Sequence, residues 1–249
     1  MSKRFVSLFL SVFLVAQISF GALKFDGTAF PYIYQSPKLA VNQSAGTICF
    51  WFKLDDAYSN GQFFFRCDVG TAVLDFIIFT DGNWFTGWYC SGCGGDDRVI
   101  TSASSIATSR WYHAALTWTS GGATTLYIDG TSIGSVGTTD ATWDTSAATN
   151  NYIGAIYGTP RFNGVIDDFR IYNRVITTSE LSSLASSRSR LTITDGLMQW
   201  LPMDDCVDGQ LAAISRPARD ISGNGIHMVS DVAPAAPPVC QASSGINYP

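Results

Sequence analysis

Glutamate is almost missing from this sequence: it occurs once, as Glu180, beside 19 aspartates in 249 residues. Only 14% of residues are charged and histidine occurs twice. Each shortage closes a class of chemistry. Glycosidic bonds are hydrolysed by two carboxyl groups held at a set separation, one acting as acid, and no E-x-D-x-x-E run is present. The adjacent aspartates at 55/56, 96/97, 167/168 and 204/205 cannot flank one bond, because neighbours on a strand point to opposite faces. His113 lies mid-strand in WYHAALT and reads as structural; His227 sits in a turn, and no Gly-x-Ser-x-Gly elbow accompanies either. The sequence therefore reads as that of a non-enzyme. A net charge of −5 without a Lys/Arg cluster argues against nucleic acid or an anionic membrane as partner. It leaves divalent cations compatible, although no D-x-D-x-D loop is present.

Long apolar runs are also lacking, except at the start. Lys3 and Arg4 precede the apolar stretch Phe5–Ala16, and Ser19-Phe20-Gly21 fits a small-x-small cleavage rule. Residues 1–21 thus read as a secretory signal peptide cleaved before Ala22, which predicts a secreted or cell-surface protein. A retained anchor is the alternative, but the run falls short of the ~20 residues that span a bilayer. Without Lys3 and Arg4, 13 basic residues (15 − 2) face 20 acidic ones, a net charge of −7. Six cysteines, at 49, 67, 90, 93, 206 and 240, form an even set behind a leader and suggest disulfides. Fifteen full pairings are open; the expectation is Cys49–Cys67, Cys90–Cys93 and Cys206–Cys240. Zinc lacks a finger spacing, and Cys90-Ser-Gly-Cys93 lacks the βαβ context of a redox motif.

What remains is β pattern. Ala22–Thr28 is a short strand ending in an Asp26-Gly27 turn. TICFWFKL (47–54) places Ile48, Phe50, Phe52 and Leu54 on one face, and Cys49 and Trp51 on the other, as a strand covered on both sides would. QFFFRCD (62–68), VLDFIIFT (73–80), WYHAALTWT (111–119), TLYID (125–129) and NYIGA (151–155) follow, separated by Gly-containing turns. Phe162–Leu184 closes the series with one strand and one capped helix. Unbroken alternation puts Val165, Asp167, Phe169 and Ile171 on one face of that strand, and Ile166, Asp168, Arg170 and Tyr172 on the other. Thr177-Thr178-Ser179-Glu180 is a capping box, and Leu181, Leu184 and Ala185 form the apolar stripe of the helix.

The run F-x-G-x-I-D-D-x-R-I-Y-N-R, with a Ser/Thr-rich helix start behind it, resembles the closing signature of LamG-like (concanavalin A-like) jelly rolls. The order WYHAALT, TLYIDG, YIG, FNGVIDD is similar to the family's order over about residues 22–184. The resemblance implies an all-β, two-sheet antiparallel jelly-roll sandwich with one short helix, here assigned to residues 22–187. It specifies a fold rather than an activity, since lectins, adhesins, hydrolases and spacers share it. Residues 188–249 form an extension. Its GLMQWLPMDD and RDISGNGIH resemble the opening of such a module, which in the family precedes the ALKFDG strand. The tail therefore reads as a circular permutation, a truncated second module, or a strand donated to a neighbouring subunit. Ala233–Pro238 reads as a polyproline-like linker.

The resemblance also implies a calcium site at the sandwich rim, with Asp26, Asp167 and Asp168 at the matching positions. The competing reading pairs Asp168 with Arg170 and gives Asp167 backbone donors. For sugar recognition, rings beside hydrogen-bonding groups are needed. Trp84, Trp88 and Tyr89 in an expected loop at 80–97, with Trp143 and Tyr157 in other Gly/Thr-rich connections, are the candidates; the alternative places Trp84 and Trp88 in the core. The expected function is non-catalytic binding of a glycan or glycosylated surface. Assembly through the tail is the second reading and glycoside hydrolysis the third.

Overall fold

The computed structural model describes residues 21–27, 33–35, 44–55, 62–69, 72–78, 84–90, 98–102, 106–136, 150–154, 162–186, 193–204, 218–230 and 239–242. In chain order the described strands are β1 (Gly21–Asp26), β2 (Ile33–Gln35), β3 (Ala45–Leu54), β4 (Gln62–Val69), β5 (Ala72–Ile78), β6 (Trp84–Cys90), β7 (Arg98–Ser102) and β8 (Trp111–Thr119). They continue with β9 (Thr124–Ile128), β10 (Thr131–Val136), β11 (Asn150–Ile153), β12 (Asn163–Tyr172), then helix α1 (Thr178–Ser186), β13 (Leu197–Leu201), β14 (Val229–Ser230) and β15 (Val239–Ala242). All pairings between them are antiparallel, in two sheets. One sheet runs β10-β9-β8-β3-β12-β1-β15, with β13 also on β12; the other runs β14-β2-β11-β4-β5-β6-β7. The protein is an all-β jelly-roll sandwich. No helix among the described residues is long and apolar enough to cross a membrane.

The alternation in β3 decides the layering. Ile48, Phe50, Phe52 and Leu54 enter the core between the sheets, where they meet Ile33, Phe64, Phe65 and Ile153 of the opposite sheet. The centre of that core is aromatic: Phe52 and Phe64 lie 4.7 Å apart between centroids, Phe64 and Phe162 4.8 Å, and Phe50 and Phe64 5.2 Å. Phe64 and Phe65 both reach it because β4 carries a bulge between Phe63 and Phe65 in its pairing with β5. Each such ring, truncated to alanine, costs about 3–5 kcal/mol. On the other face of β3, Cys49 joins Ala115, Tyr172 and Ile176 beneath Leu181 and Leu184 of α1. Further along, Trp51 packs with Ala22, Trp111 and Val165. The first sheet is thus covered on both sides, as the TICFWFKL run predicts.

The helix is fixed as its capping box implies. Glu180 N donates to Thr177 Oγ1 at 3.2 Å, and Thr177 N donates to Glu180 Oε2 at 2.6 Å. The Asp129-Gly130 turn has φ of 49° and 75° and joins β9 to β10 with Ile128 opposite Thr131, the two-residue hairpin geometry that needs a left-handed pair.

At one side of the sandwich β10 of the first sheet lies against β7 of the second. At the other side both outermost strands, β15 and β14, come from the C-terminal extension. β13 pairs with β12 opposite Phe169–Tyr172, and β1 pairs with the other half of β12, opposite Asn163–Ile166. The two therefore lie end to end along one edge of β12 and run in the same direction.

Candidate functional site

The acidic strand β12 does not alternate strictly. Asp167 lies opposite Trp51 and Arg170 opposite Cys49, so Asp168 and Phe169 together face the single residue Phe50. This bulge, with Asp168 at φ 49°, reverses the phase of the strand. Val165 packs with Trp51 on the outer face, whereas Phe169 and Ile171 join the inner core. The expected common face for Val165 and Phe169 is corrected accordingly; a bulge adds a residue that periodicity does not see.

The bulge builds a polar knot. Asp168 Oδ1 accepts from Arg170 Nε at 3.0 Å and from Trp200 Nε1 at 2.6 Å, and its Oδ2 accepts from Arg170 Nη2 at 2.9 Å. The Arg170 guanidinium lies 4.2 Å from the centre of the Trp200 ring. Burial disfavours its charge, but Asp168 outweighs this and holds the Arg170 pKa above its ordinary value. Asp167 is fully buried and its Oδ1 accepts from Asp168 N at 2.8 Å. Asp26 is exposed and lies opposite Asn163, four positions from Asp167 along β12. At ~3.4 Å per residue that is about 14 Å. The structure does not bring Asp26, Asp167 and Asp168 together, and among the described residues no three His, Cys, Asp or Glu side chains are grouped to hold a metal.

Trp200 belongs to the extension, and its docking is completed by a loop. Asp220 accepts through Oδ1 from Trp200 N and Ser222 N, each at 2.9 Å, and through Oδ2 from Ser222 Oγ at 2.9 Å and Ile226 N at 2.8 Å. Asn224 Nδ2 donates to the carbonyls of Leu197 and Met198. His227 accepts through Nδ1 from Asp220 N at 2.9 Å. The D-x-S-G-N-G residues are thus a carboxylate-centred clasp on β13.

His113 is 2% exposed, with its ring edge-on to Trp51 at 5.3 Å. Burial, helped by Arg170, lowers its pKa to about 3, so the imidazole is neutral and structural. Glu180 is gripped by Arg174 through Nη2–Oε1 at 2.7 Å and Nη1–Oε2 at 3.0 Å. That pair, with the Thr177 cap, lowers its pKa to about 2.

Cys49 is a free, buried thiol, its pKa pushed up to about 12 by burial. The expected Cys49–Cys67 bond is therefore corrected: Cys49 packs beneath the helix on one sheet, and Cys67 belongs to β4 of the other. Cys90 ends β6 and Cys240 lies on β15 opposite Leu23. Cys93 and Cys206 lie outside the described residues.

Trp84, Trp88 and Tyr89 are not in a loop. They belong to β6, which is paired on both sides, with β5 and β7. Extended backbone wins there because QFFFRCD, VLDFIIF and NWFTGWYC can pair as consecutive antiparallel strands. Trp84 and Trp88 share the phase of Thr86, which stands in line through Phe76 with the core residue Phe65. Tyr89 has the opposite phase. Trp143 and Tyr157 lie outside the described residues.

That opposite phase carries a row that no single stretch of sequence announces. Pairing sets Tyr34 opposite Tyr152, Tyr152 opposite Arg66, Arg66 opposite Asp75, and Asp75 opposite Gly87. The row crosses five strands, about 19 Å at ~4.8 Å per step. Asn150, Asp68, Val73 and Tyr89 form the adjoining row two residues along. The rings of Tyr34 and Tyr152 lie side by side, 6.5 Å apart and inclined by 31°. Because Ile33 and Ile153 are core residues, alternation turns both tyrosines to the outer face of the second sheet. Tyr34 is half-buried. Tyr152 is buried, and by register Arg66, Asp75 and Gly87 continue the row of the two tyrosines on the adjoining strands.

Residues 27–182 match the family model described as the concanavalin A-like lectin/glucanases superfamily. Curated protein sequences give no match. Among solved structures, the chain is similar to a putative carbohydrate binding protein from Bacteroides ovatus, at 16% identity, TM-score 0.59, covering 89% of this chain and 61% of that one. It is also similar to a native heptameric SAP-like pentraxin from Limulus polyphemus, at 19% identity, TM-score 0.56, covering 70% and 85%. A third likeness is the Ruminococcus gnavus IT-sialidase CBM40 bound to alpha2,3 sialyllactose, at 17% identity, TM-score 0.52, covering 66% and 98%.

Proposed function

The chain belongs to the concanavalin A-like lectin/glucanase superfamily, and from that premise we propose that it is a secreted, non-catalytic carbohydrate-binding protein. The observation that carries the proposal is the row Tyr34–Tyr152–Arg66–Asp75–Gly87 on the second sheet. Sugar rings present apolar C–H faces and a rim of hydroxyls, so they are held by aromatic faces beside fixed donors and acceptors. Register sets Arg66, Asp75 and Gly87 at neighbouring positions beside the two tyrosines, and Arg and Asp are residue types that hydrogen-bond sugar hydroxyls. Two similar structures, a putative carbohydrate binding protein and a CBM40 bound to alpha2,3 sialyllactose, support the same reading. The single glutamate supports a non-catalytic role, because Glu180 is held by Arg174 and by the helix cap. This reading requires no cation at Asp26, Asp167 and Asp168.

The test is a glycan array followed by calorimetry on the best ligand. Tyr34→Ala and Arg66→Ala should each weaken binding at least tenfold, about 1.4 kcal/mol, while circular dichroism and the melting temperature stay close to those of the parent. Absence of any glycan ligand, or variants that bind as tightly as the parent, overturns the proposal.

A further inference from the structure

The tyrosine row does not stop at Tyr34. On its far side β14 of the C-terminal extension pairs with β2, setting Val229 opposite Tyr34 and Ser230 opposite Ile33. Met228 is fully buried in the core, so alternation turns Val229 to the outer face, where it stands half-buried next to Tyr34. Tyr34 therefore lies between Tyr152 of β11 and Val229 of β14. β2 is only three residues long and β14 only two. Ladders that short fray unless something else fixes them, so the register of β14 is set from outside its own pairing. Asp220 sets it. One oxygen of this carboxylate accepts from Trp200 N, on β13 of the first sheet, and the other accepts from Ile226 N, three residues before Val229. The backbone completes the link: Ala218 and Met228 exchange N–H···O bonds of 3.3 and 3.1 Å, and Ile221 N donates to the Trp200 carbonyl at 2.9 Å. Gln199 Nε2 adds a bond to the Ile226 carbonyl at 2.7 Å. Hydrogen bonds through Asp220 thus run from β13 in one sheet to β14 in the other.

We propose that the C-terminal extension is a working part of the glycan site: β14 seats β2 and so holds Tyr34 in the row, and Asp220 is the positioning residue that holds β14. The proposal rests on the reading of the tyrosine row as the place where sugar binds. A ring that stacks on a sugar binds best when its backbone is fixed beforehand, because ordering a segment on binding costs affinity. β2 is paired on both sides only while β14 is docked. Seating and binding then favour the same arrangement, and such coupling is reciprocal. A bound glycan should therefore also slow amide exchange in residues 218–228, which contribute no ring to the row.

The test begins without sugar. Amide hydrogen exchange is compared between the full chain and Asp220→Asn, which keeps the size of the side chain but turns one acceptor oxygen into a donor. β2 should exchange about tenfold faster in the variant while β3 and β8 stay as they are; equal rates in β2 overturn the proposal. Should Asp220→Asn fail to fold, Ser222→Ala makes the same comparison, since it removes one hydroxyl donor from the same carboxylate, and equal β2 rates again overturn it. Calorimetry with the free form of the tightest-binding array oligosaccharide then gives affinities for Asp220→Asn, Tyr34→Ala and the double variant. Asp220→Asn should bind about tenfold more weakly than the parent, yet weaken Tyr34→Ala by less than about twofold, because residues that act through one contact do not add. Fully additive losses overturn positioning through Tyr34. If no glycan binds the parent, the carbohydrate reading fails, and the exchange comparison still decides whether Asp220 seats β2.

Discussion

Glu180 shows how one carboxylate can be occupied completely. It answers Thr177 N, closes the capping box and accepts both terminal nitrogens of Arg174. Arg174 in turn donates through Nε to the Asp195 carbonyl and lies 2.8 Å from the Asp195 carboxylate. Because the folded pKa of Glu180 is lowered to about 2 by the Arg174 hydrogen bonds, its contribution is fully present above the unfolded value of ~4.3 and is lost as pH falls from there towards 2. Glu180→Gln keeps the cap geometry but not the charge. We expect the melting temperature of the parent to fall more steeply than that of Glu180→Gln between pH 5 and 2, and parallel curves would show that the ion pair contributes nothing. At this scale the sequence was half legible. The Thr-Thr-Ser-Glu spacing announces the cap, because capping is local. The grip of Arg174 is not announced, and neither is the turn of Asp168 towards Trp200, because a bulge leaves no mark in periodicity.

Among the elements, β13 and the loop after it are held by specific groups rather than by area alone. Trp200 supplies a ring for Arg170, an indole N–H for Asp168 and a backbone N–H for Asp220. Trp200→Ala should destabilise the protein by about 3–5 kcal/mol, partly by removing a donor from the Asp168 carboxylate. Asp220→Ala leaves four donors without their acceptor, at a cost of roughly 1–3 kcal/mol for each buried one. Limited proteolysis followed by mass spectrometry should show both variants cut first in the C-terminal extension; first cuts in the body of the sandwich would contradict the clasp. The strands around WYHAALTWT and TICFWFKL are plain in the sequence, because their apolar patterns are strong. β6 is not: the Gly, Asn and Asp in TDGNWFTGWYC read as loop, and only its neighbours β5 and β7, each bringing a full ladder of partners, make it a strand.

For the whole molecule, the extension forms the edge of each sheet at one side: β15 pairs β1 and β14 pairs β2, while β13 covers half of β12. A chain ending at residue 187 would expose three lengths of strand edge together with core residues that Leu201, Met203 and Met228 now cover. Such edges recruit other chains. Size-exclusion chromatography of that truncation should therefore show aggregates or insoluble protein rather than a folded monomer, and a monodisperse monomer with the parent's near-ultraviolet spectrum would refute the edge role. The fold class was legible from alternation and from one long motif, both carried by contiguous residues. The tyrosine platform was not, because Tyr34, Tyr152, Arg66 and Asp75 come from four strands and meet only through pairing register.

The end-to-end placement of β13 and β1 also sets an order of events. β1 is an early strand of the chain, yet its partners on either side are β12 and β15, which are synthesised far later. Contacts of such long sequence separation close slowly. An emerging β1 must wait, unpaired, until nearly all of the remaining chain has followed it. Closure of this sandwich is therefore a late event, and the time for which β1 stays exposed is the interval in which chaperones or neighbouring chains compete for it.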